Sequence, residues 1–291
     1  MPSTRDIRRR IKSVKNTAQI TKAMQMVASA KMRKAQMAAL AGRPYTELMN
    51  QVLSEVTNGL DSFRHPLTVA RPVRKRAVIL VSTDKGLCGS LNTNLLREAA
   101  KFDKETTVYI TAGKKGSLFV VRVKRNLAAE FHYKDNPLFG EARAISKFAQ
   151  DLFLKGEVDA VDILYTNFVS TLVQQPKTVP FLPIGQITAA TAGVNAPEAR
   201  PLAASGTSYE FEPGAEEVLG ELLPHYLNFK VYQVLLEAKA SEHSSRMVAM
   251  KNATDNAKQI IKDLTLEYNK LRQANITKEL LEITTAQMAM A

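Results

Sequence analysis

Cysteine is nearly absent from the sequence, and long apolar runs are missing altogether. Cys88 is the single cysteine among 291 residues, so a disulfide scaffold and an internal thiol switch are both excluded. No run reaches the roughly 18 apolar residues that a membrane-spanning helix needs. The N-terminus also lacks the apolar centre of a secretory signal. With 45% hydrophobic and 23% charged residues, the composition is that of an ordinary globular protein and excludes wholesale disorder.

Acidic residues are scarce at the N-terminus. Among the first 43 residues, Asp6 alone opposes eleven Lys and Arg residues, for a net charge of +10. The other 248 residues carry 29 bases and 27 acids, so they add only +2 to a total of 40 − 28 = +12. Solvated helices normally mix both signs, so this segment favours attraction of an anionic partner: nucleic acid, an acidic protein surface or anionic lipid. A merely solvated basic face remains the alternative.

Glycine and proline are absent from residues 4–41, which predicts one long N-terminal helix. Ser3 followed by Asp6 resembles a capping box at its start. Alternating steps of four and three residues trace a coiled-coil-like seam whose members shrink along the helix: Ile7, Ile11, Val14, Ala18, Thr21, Gln25, Ala28, Met32, Ala35 and Ala39. Gly42-Arg43-Pro44 is expected to interrupt the helix. The pattern then resumes through Leu48, Val52 and Val56.

The C-terminal part predicts a second long helix from about residue 215 to the end. Pro224 is a candidate for an early break, but residues 225–290 contain neither glycine nor proline. The expected seam comprises Val231, Val234, Ala238, Ser241, Ser245, Val248, Ala253, Ala257, Ile260, Leu264 and Leu271. Helices this long are not ordinary core elements. We therefore expect the two chain ends to pair as an antiparallel coiled coil.

The central part alternates between strand and helix patterns. Strands are expected at 77–83, 106–111, 127–132 and 158–169, helices at 92–102 and 141–155, and a helix or strand between Gly113 and Val123. Residues 186–208 read as a loop or linker, and 209–212 as a candidate edge strand. Such alternation predicts a doubly wound, Rossmann-like α/β domain. The predicted fold class is α/β plus a long antiparallel α-helical coiled coil, with domains 1–60, 71–213 and 215–291, the first and last forming one rod.

Two glycine-containing turns stand at positions where a phosphate site could form. Residues 84–90 follow the first strand and 113–117 the second, where nucleotide-binding α/β proteins hold phosphate. Neither turn matches G-x-G-x-x-G or G-x-x-x-x-G-K-[ST]. In the first turn, Gly86 and Gly89 are interpreted as residues that allow tight packing. These turns are therefore predicted to be structural.

The remaining reactive side chains give no catalytic pattern. The four histidines, His65, His132, His225 and His243, lack the short spacing of a zinc site. Cys88 has no nearby histidine to activate it. The sequence thus predicts no catalytic residue, no metal site and no cofactor.

The C-terminal end is unusual in its charge. After Glu282 there is no charged side chain. A charged residue inside an apolar hole would lose its hydration or lock into a fixed ion pair. The uncharged end therefore favours insertion into an apolar hole of a partner, and an unpartnered tail is the alternative.

Several segments closely resemble the gamma subunit of F-type ATP synthases, in the right order over essentially the whole chain. The first helix carries Asp6-Ile7-Arg8, Ile11, Asn16-Thr17, Ile20-Thr21-Lys22-Ala23-Met24, Met26-Val27 and Lys31-Met32-Arg33-Lys34. The turn at 84–94 reads DKGLCGSLNTN, and the last helix carries 244–247, 252–257, 269–274 and 276–280 of the family pattern. The tail departs from the family's usual Gly-Ala-containing end with Thr284-Thr285-Ala286-Gln287.

The resemblance implies a non-catalytic rotor subunit of the central stalk. Such a subunit transmits rotation between the membrane ring and three catalytic beta subunits, and so couples proton flow to ATP synthesis or hydrolysis. The implied partners are the hexameric ring of alpha and beta subunits, the epsilon subunit and the membrane c-ring, with one copy per complex and no nucleic acid. The implied location is peripheral, on the cytoplasmic face of the bacterial plasma membrane.

By matching positions, the resemblance also implies which residues meet the beta subunits: Lys22, Met24, Arg272, Gln273, Thr277 and Glu279. The basic shaft segment is consistent with an acidic counterpart on beta, and its residues are Arg5, Arg8, Arg9, Arg10, Lys12, Lys31, Arg33 and Lys34. The alternative function is a basic coiled-coil nucleic-acid-binding module. It is disfavoured because no aromatic residue precedes Tyr45, which leaves the basic face without stacking platforms.

Overall fold

The structure is a computed structural model that describes residues 3–42, 44–45, 48–49, 53, 65–184 and 214–290. Its helices and strands are α1 (Thr4–Ala41), β1 (Arg76–Val81), α2 (Leu91–Ala100), β2 (Thr107–Ala112), α3 (Lys114–Arg122), β3 (Asn126–Phe131), α4 (Phe139–Leu154), β4 (Ala160–Phe168), β5 (Gln174–Leu182) and α5 (Ala215–Met290). They form two compact units. The first combines Met1–Ala28 with Met247–Ala291, and the second is Ser29–Arg246.

The start of α1 is fixed by its own side chains. Asp6 N donates a hydrogen bond to Ser3 Oγ at 3.3 Å, and Ser3 N donates to Asp6 Oδ2 at 3.4 Å. The Ser3 hydroxyl also donates to Asp6 Oδ2 at 2.8 Å. These reciprocal bonds satisfy backbone donors that a helix start leaves open, so the predicted capping box is confirmed.

In the first unit, α1 and the last part of α5 pair in opposite directions. The hydroxyls of Thr21 and Thr254 share a hydrogen bond of 2.8 Å. The guanidinium of Arg8 lies over the ring of Tyr268, 5.7 Å from its centre. The α1 number falls from 21 to 8 while the α5 number rises from 254 to 268. The predicted antiparallel pairing of the chain ends is therefore confirmed.

The seam predicted for α1 is confirmed at every position, because all ten residues from Ile7 to Ala39 are buried or half-buried. The seam predicted for α5 was wrong at Ile260, which is 45% exposed, whereas Ile261 is half-buried. The observed positions follow strict steps of four and three: Met250, Thr254, Ala257, Ile261, Leu264, Tyr268 and Leu271. Since both candidates are isoleucine, only the register set by Thr254 opposite Thr21 decides between them.

The second unit is built around a five-stranded sheet with the order β3-β2-β1-β4-β5. The first four strands are parallel, and β5 is antiparallel to β4. On one face, Val78 and Leu80 pack with α2 and α3, and on the other, Ala77 and Ile79 pack with α4 and the first part of α5. Helices on both faces of a mainly parallel sheet confirm the predicted doubly wound α/β fold.

One strand was missed. Residues 174–182 form β5, which contains Pro176 and Pro180 and alternates between more and less exposed positions. Proline cannot donate to a strand ladder, so sequence patterns argue against a strand there. As an edge strand, β5 tolerates both prolines. The predicted loop at 186–208 and the predicted edge strand at 209–212 lie outside the described residues.

Two helix-breaking signals had different outcomes. α1 ends at Ala41, Gly42 forms a turn and Pro44 is helical again, so the predicted interruption is confirmed. A Cβ at Gly42 would clash with the side-chain amide of Gln233, so a larger residue there would require the Gln233 side chain to move. Pro224 does not break α5, because the leucines around it, Leu219, Leu223 and Leu227, are buried in core clusters that hold the helix.

The pattern predicted after Pro44 was wrong at Leu48. Leu48 is exposed, whereas Met49 and Leu53 are buried in a cluster with Leu219 and Leu223 of α5. Val52 and Val56 lie outside the described residues. The apolar stripe of this segment is therefore shifted by one residue from the predicted one.

Candidate partner-binding surfaces

The turn that begins α3 does not offer its backbone to an anion. Lys114 N donates to Asp84 Oδ1 at 3.0 Å, Lys115 N donates to Thr83 O at 3.0 Å, and Gly116 N donates to Ser82 Oγ at 2.7 Å. A helix N-terminus binds phosphate through such N–H groups. Here the chain's own oxygens take them, and a carboxylate lies where the phosphate would be.

The turn at 84–90 is also engaged within the chain. The Cys88 side chain is buried, and burial raises the pKa of its thiol, so the nucleophilic thiolate is disfavoured. Cys88 O accepts a hydrogen bond from Ser245 Oγ at 2.6 Å. Gly89 has a φ of 58°, a conformation that favours glycine. The packing role expected for Gly86 was wrong, because a Cβ there would meet nothing within 4 Å.

The scattered titratable residues form no metal site in the part of the chain that the structure describes, where no three His, Cys, Asp or Glu residues come close enough to hold an ion. His225 Nε2 is 2.8 Å from the hydroxyl of Tyr45, which gives it a structural partner. His243 is buried, and this burial lowers its pKa to about 4. No helix within the described ranges combines the length and apolar character that crossing a bilayer requires.

Among the described residues of this unit, no helix packs against the end of α5. With Arg8 opposite Tyr268, the first residue of α1, Thr4, lies opposite the region of Leu271. Every residue of 272–290, which we call the tip segment, is exposed. Its large apolar side chains are Ile276, Leu280, Leu281, Ile283, Met288 and Met290, the last two 81% and 90% exposed. A run of exposed apolar residues at a helix end marks a surface for a partner.

The six residues expected to meet the beta subunits fall into two separate surfaces. Arg272, Gln273, Thr277 and Glu279 lie exposed in the tip segment, where Thr277 Oγ1 donates to Gln273 O at 2.9 Å. Lys22 is exposed and Met24 half-buried on α1, next to the Thr21–Thr254 contact. From residue 254 to residue 272, a helix rises about 27 Å, so the structure does not bring the two groups together.

The basic shaft segment is exposed throughout, and part of its charge is used inside the chain. Lys31 Nζ lies 2.5 Å from Asp135 Oδ2, and Arg8 stacks on Tyr268. The others are exposed on α1: Arg5, Arg9, Arg10, Lys12, Arg33 and Lys34. The cationic face predicted from the sequence is thus present on α1, with Lys31 held by an internal partner.

Comparison with known proteins identifies the family. The sequence model of the ATP synthase family matches residues 3–290. The ATP synthase gamma chain of Opitutus terrae is 48% identical over 297 residues, covering 100% of both chains. The chain belongs to the ATP synthase gamma chain family. The gamma chain of Roseiflexus sp. strain RS-1 is likewise 48% identical, over 100% of this chain and 99% of its own length.

Solved structures agree with this membership in the gamma chain family. A central stalk chain of the Tetrahymena thermophila mitochondrial ATP synthase matches with a TM-score of 0.61 and 25% identity, covering 80% of this chain and 99% of its own. A chain of the Euglena gracilis mitochondrial ATP synthase in rotational state 3 shares the fold, with a TM-score of 0.71, 21% identity and coverages of 99% and 94%. The chain is a gamma subunit of an ATP synthase. The nucleic-acid-binding alternative finds no support.

One exposed feature of this gamma-type chain was not predicted. Ile20, Met26 and Val27 of α1 are 61%, 60% and 54% exposed, on the side of the helix away from the seam. Ile20 and Val27 are seven residues apart, so they share one face of α1. This spacing was visible in the sequence. These residues lie off the apolar seam that begins at Ile7, so the periodicity of that seam does not include them.

Proposed function

We propose that this gamma subunit is a rotor subunit of the central stalk, that it transmits rotation between the membrane ring and the catalytic beta subunits, and that it catalyses no reaction itself. The observation that carries the proposal is the tip segment, an exposed apolar helix end without charge after Glu282. An apolar side chain can turn against an apolar wall without breaking ion pairs, since none forms there. Residues 283–290, the uncharged part of the tip segment, therefore suit a bearing formed by the ring of alpha and beta subunits.

The two surfaces of the helical pair suit two different contacts with beta. Lys22 and Met24 lie on the strongly basic helix α1, which attracts an acidic segment of beta at long range. A second group lies about 27 Å further along α5 and offers both charges and hydrogen-bonding groups: Arg272, Gln273, Thr277 and Glu279. This group can bind a second part of beta. The helical pair would then contact each beta subunit at two positions along its length, and both contacts could transmit torque.

Coupling between rotation and nucleotide binding follows from the asymmetry of the surface of the helical pair. A single helical pair presents different residues to each of three otherwise equivalent catalytic sites. Each contact stabilises one conformation of the beta subunit that it meets, and nucleotides bind these conformations with different affinities. Rotation changes which site is favoured, and nucleotide binding drives rotation by the same coupling free energy.

Catalysis is assigned to beta and not to this chain. The backbone N–H groups that begin α3 are taken by Asp84, Thr83 and Ser82, and the Cys88 thiol is buried with a raised pKa. The α/β unit would instead bind the epsilon subunit and the c-ring. The complex would then hold this chain peripherally on the cytoplasmic face of a bacterial plasma membrane.

The test is reconstitution with alpha and beta subunits. We expect the isolated chain to hydrolyse no ATP and the assembled complex to hydrolyse it. Ile283→Asp should impair assembly or turnover, because an unpaired carboxylate in an apolar bearing costs several kcal/mol. Glu282→Asp, which keeps the neighbouring charge, is the matched control. Substantial hydrolysis by the isolated chain would contradict the non-catalytic role, and normal assembly and turnover of Ile283→Asp would contradict the bearing.

A further inference from the structure

Five side chains of alternating charge form a continuous series in the second unit, which we call the ionic series. Lys31 Nζ of α1 lies 2.5 Å from Asp135 Oδ2, and Asp135 Oδ1 lies 3.7 Å from Lys239 Nζ of α5. Lys239 Nζ lies 3.0 Å from Glu242 Oε2, and Glu242 Oε1 lies 2.8 Å from a terminal nitrogen of Arg246. Asp135 therefore joins α1 to α5, and Glu242 links two cations on α5.

The ionic series ends on the turn at 84–90. Arg246 donates hydrogen bonds to Gly86 O at 3.2 Å and Lys85 O at 3.4 Å. Ser245 Oγ, next to it, donates to Cys88 O at 2.6 Å. Three carbonyl groups of this turn, those of Lys85, Gly86 and Cys88, therefore accept hydrogen bonds from α5. The turn follows β1, where other α/β proteins hold phosphate, but here its carbonyl groups bind helix α5 of the same chain.

Two further hydrogen bonds hold the same part of α5 from another side. Ser241 Oγ donates to Thr166 O at 2.9 Å, and Ser244 Oγ donates to Thr171 O at 2.9 Å. Thr166 lies near the end of β4, Asp135 follows β3, and the turn at 84–90 follows β1. Residues 239–246 of α5 are therefore bound by hydrogen bonds and ion pairs to three segments at the carboxyl edge of the parallel sheet. In other doubly wound proteins this edge binds the ligand.

We propose that the ionic series and these serines are positioning residues that fasten α1 and α5 to the sheet and fix the rotational setting of α5 against it, so that torque passes between sheet and helices without slip. The inference rests on the proposed rotor function. The apolar packing of α5 against the sheet resists turning of this helix. Hydrogen bonds have a preferred direction, so the polar contacts add a second resistance to turning of α5 about its own axis.

The burial of Lys239 and Glu242, two members of the ionic series, supports a purpose other than stability. Lys239 is 1% exposed and Glu242 is 3% exposed. Removing two charges from water is costly, and well-packed apolar residues often stabilise such a site equally well or better. Lys239 is further enclosed by the ring of Tyr133, whose centre lies 4.4 Å from Nζ. Charges kept at this depth fit a requirement for a fixed orientation.

The experiment uses the complete complex reconstituted in proteoliposomes. Glu242→Gln keeps the shape of the side chain but removes the charge shared by Lys239 and Arg246. We expect at least about a twofold drop in protons pumped per ATP hydrolysed, the scale of effects along a coupling network. ATP hydrolysis itself should persist. The matched control is Glu98→Gln, which neutralises an ion pair with Lys101 at 2.8 Å on the exposed side of α2.

A second variant separates slippage from misfolding. The double substitution Lys239→Met with Glu242→Leu replaces the buried pair by apolar side chains, which should preserve the thermal unfolding temperature of the full chain. We expect it to lose coupling as Glu242→Gln does. Unchanged proton-to-ATP ratios in both variants would overturn the inference while leaving the rotor function intact. Failure of the unmodified complex to pump protons at all would instead overturn the proposed function.

Discussion

The antiparallel register of the helical pair predicts that two leucines on α5 contribute very differently to stability. Leu264 is 9% exposed in the seam, whereas Leu266, two residues further on, is 70% exposed. Leu264→Ala removes a packed side chain at the edge of a two-helix seam, so we expect the lower end of the usual range, about 2 kcal/mol. Leu266→Ala should change stability by less than about 0.5 kcal/mol. Alanine and leucine have similar helix propensities, so propensity cancels in this comparison.

Hydrogen exchange of the full chain measures this difference locally. A loss of about 2 kcal/mol raises the equilibrium constant for local opening of α5 near residue 264 roughly 30-fold, since each 1.4 kcal/mol is about tenfold. The amide hydrogens there should exchange faster by the same factor. The Leu266→Ala chain should exchange like the unmodified one. Equal effects of the two substitutions, or a larger effect at Leu266, would refute the register given by Thr21 opposite Thr254.

Three further predictions concern the sheet, the buried histidine and α1. Gly113→Ala should destabilise the chain by about 2 kcal/mol or more in urea unfolding, because Gly113 has φ 104° and a Cβ would clash with Ser82 O; Gly86→Ala, with open space around it, should change little. Burial lowers the pKa of His243 from 6.5 to about 4, so the unfolded chain binds the extra proton between these pH values. Stability should therefore fall by roughly 3 kcal/mol as the pH drops through that window, and His243→Gln should flatten the slope. Met24→Lys should reduce proton pumping more than chain stability, by strengthening contact with acidic groups; normal hydrolysis and pumping would place Met24 elsewhere.

Local sequence signals predicted the helical pair well. The capping box at Ser3 and Asp6, the seam of α1 and the interruption after Ala41 all depend on residues within one or two turns of each other. Such signals act through nearby backbone atoms, so they survive without knowledge of the tertiary structure. The alternation of strands and helices in the α/β part was similarly informative.

Tertiary contacts decided the points that local signals predicted wrongly or left open. Ile260 and Ile261 differ only in which one faces α1. Pro224 remains inside a helix because buried leucines surround it. The prolines of β5 are tolerated because it is an edge strand. In each case packing overrides the local preference.

The candidate surfaces were predicted in part. The uncharged end of α5 was visible in the sequence, and the structure adds that the whole tip segment is exposed. The roles of the six residues expected to meet beta stay predictions. The ionic series was beyond reach of sequence patterns, because Lys31 and Asp135 are 104 residues apart and no periodicity links them.

Rotation of this chain inside the assembled complex tests the central claim most directly. A probe attached through Lys104→Cys, at an exposed position of the α/β unit, would report motion while the ring of alpha and beta subunits is fixed to a surface. The natural Cys88 is 2% exposed and should label poorly. The account predicts unidirectional, ATP-dependent turning with three steps per revolution. Sustained ATP hydrolysis with a stationary probe would contradict it.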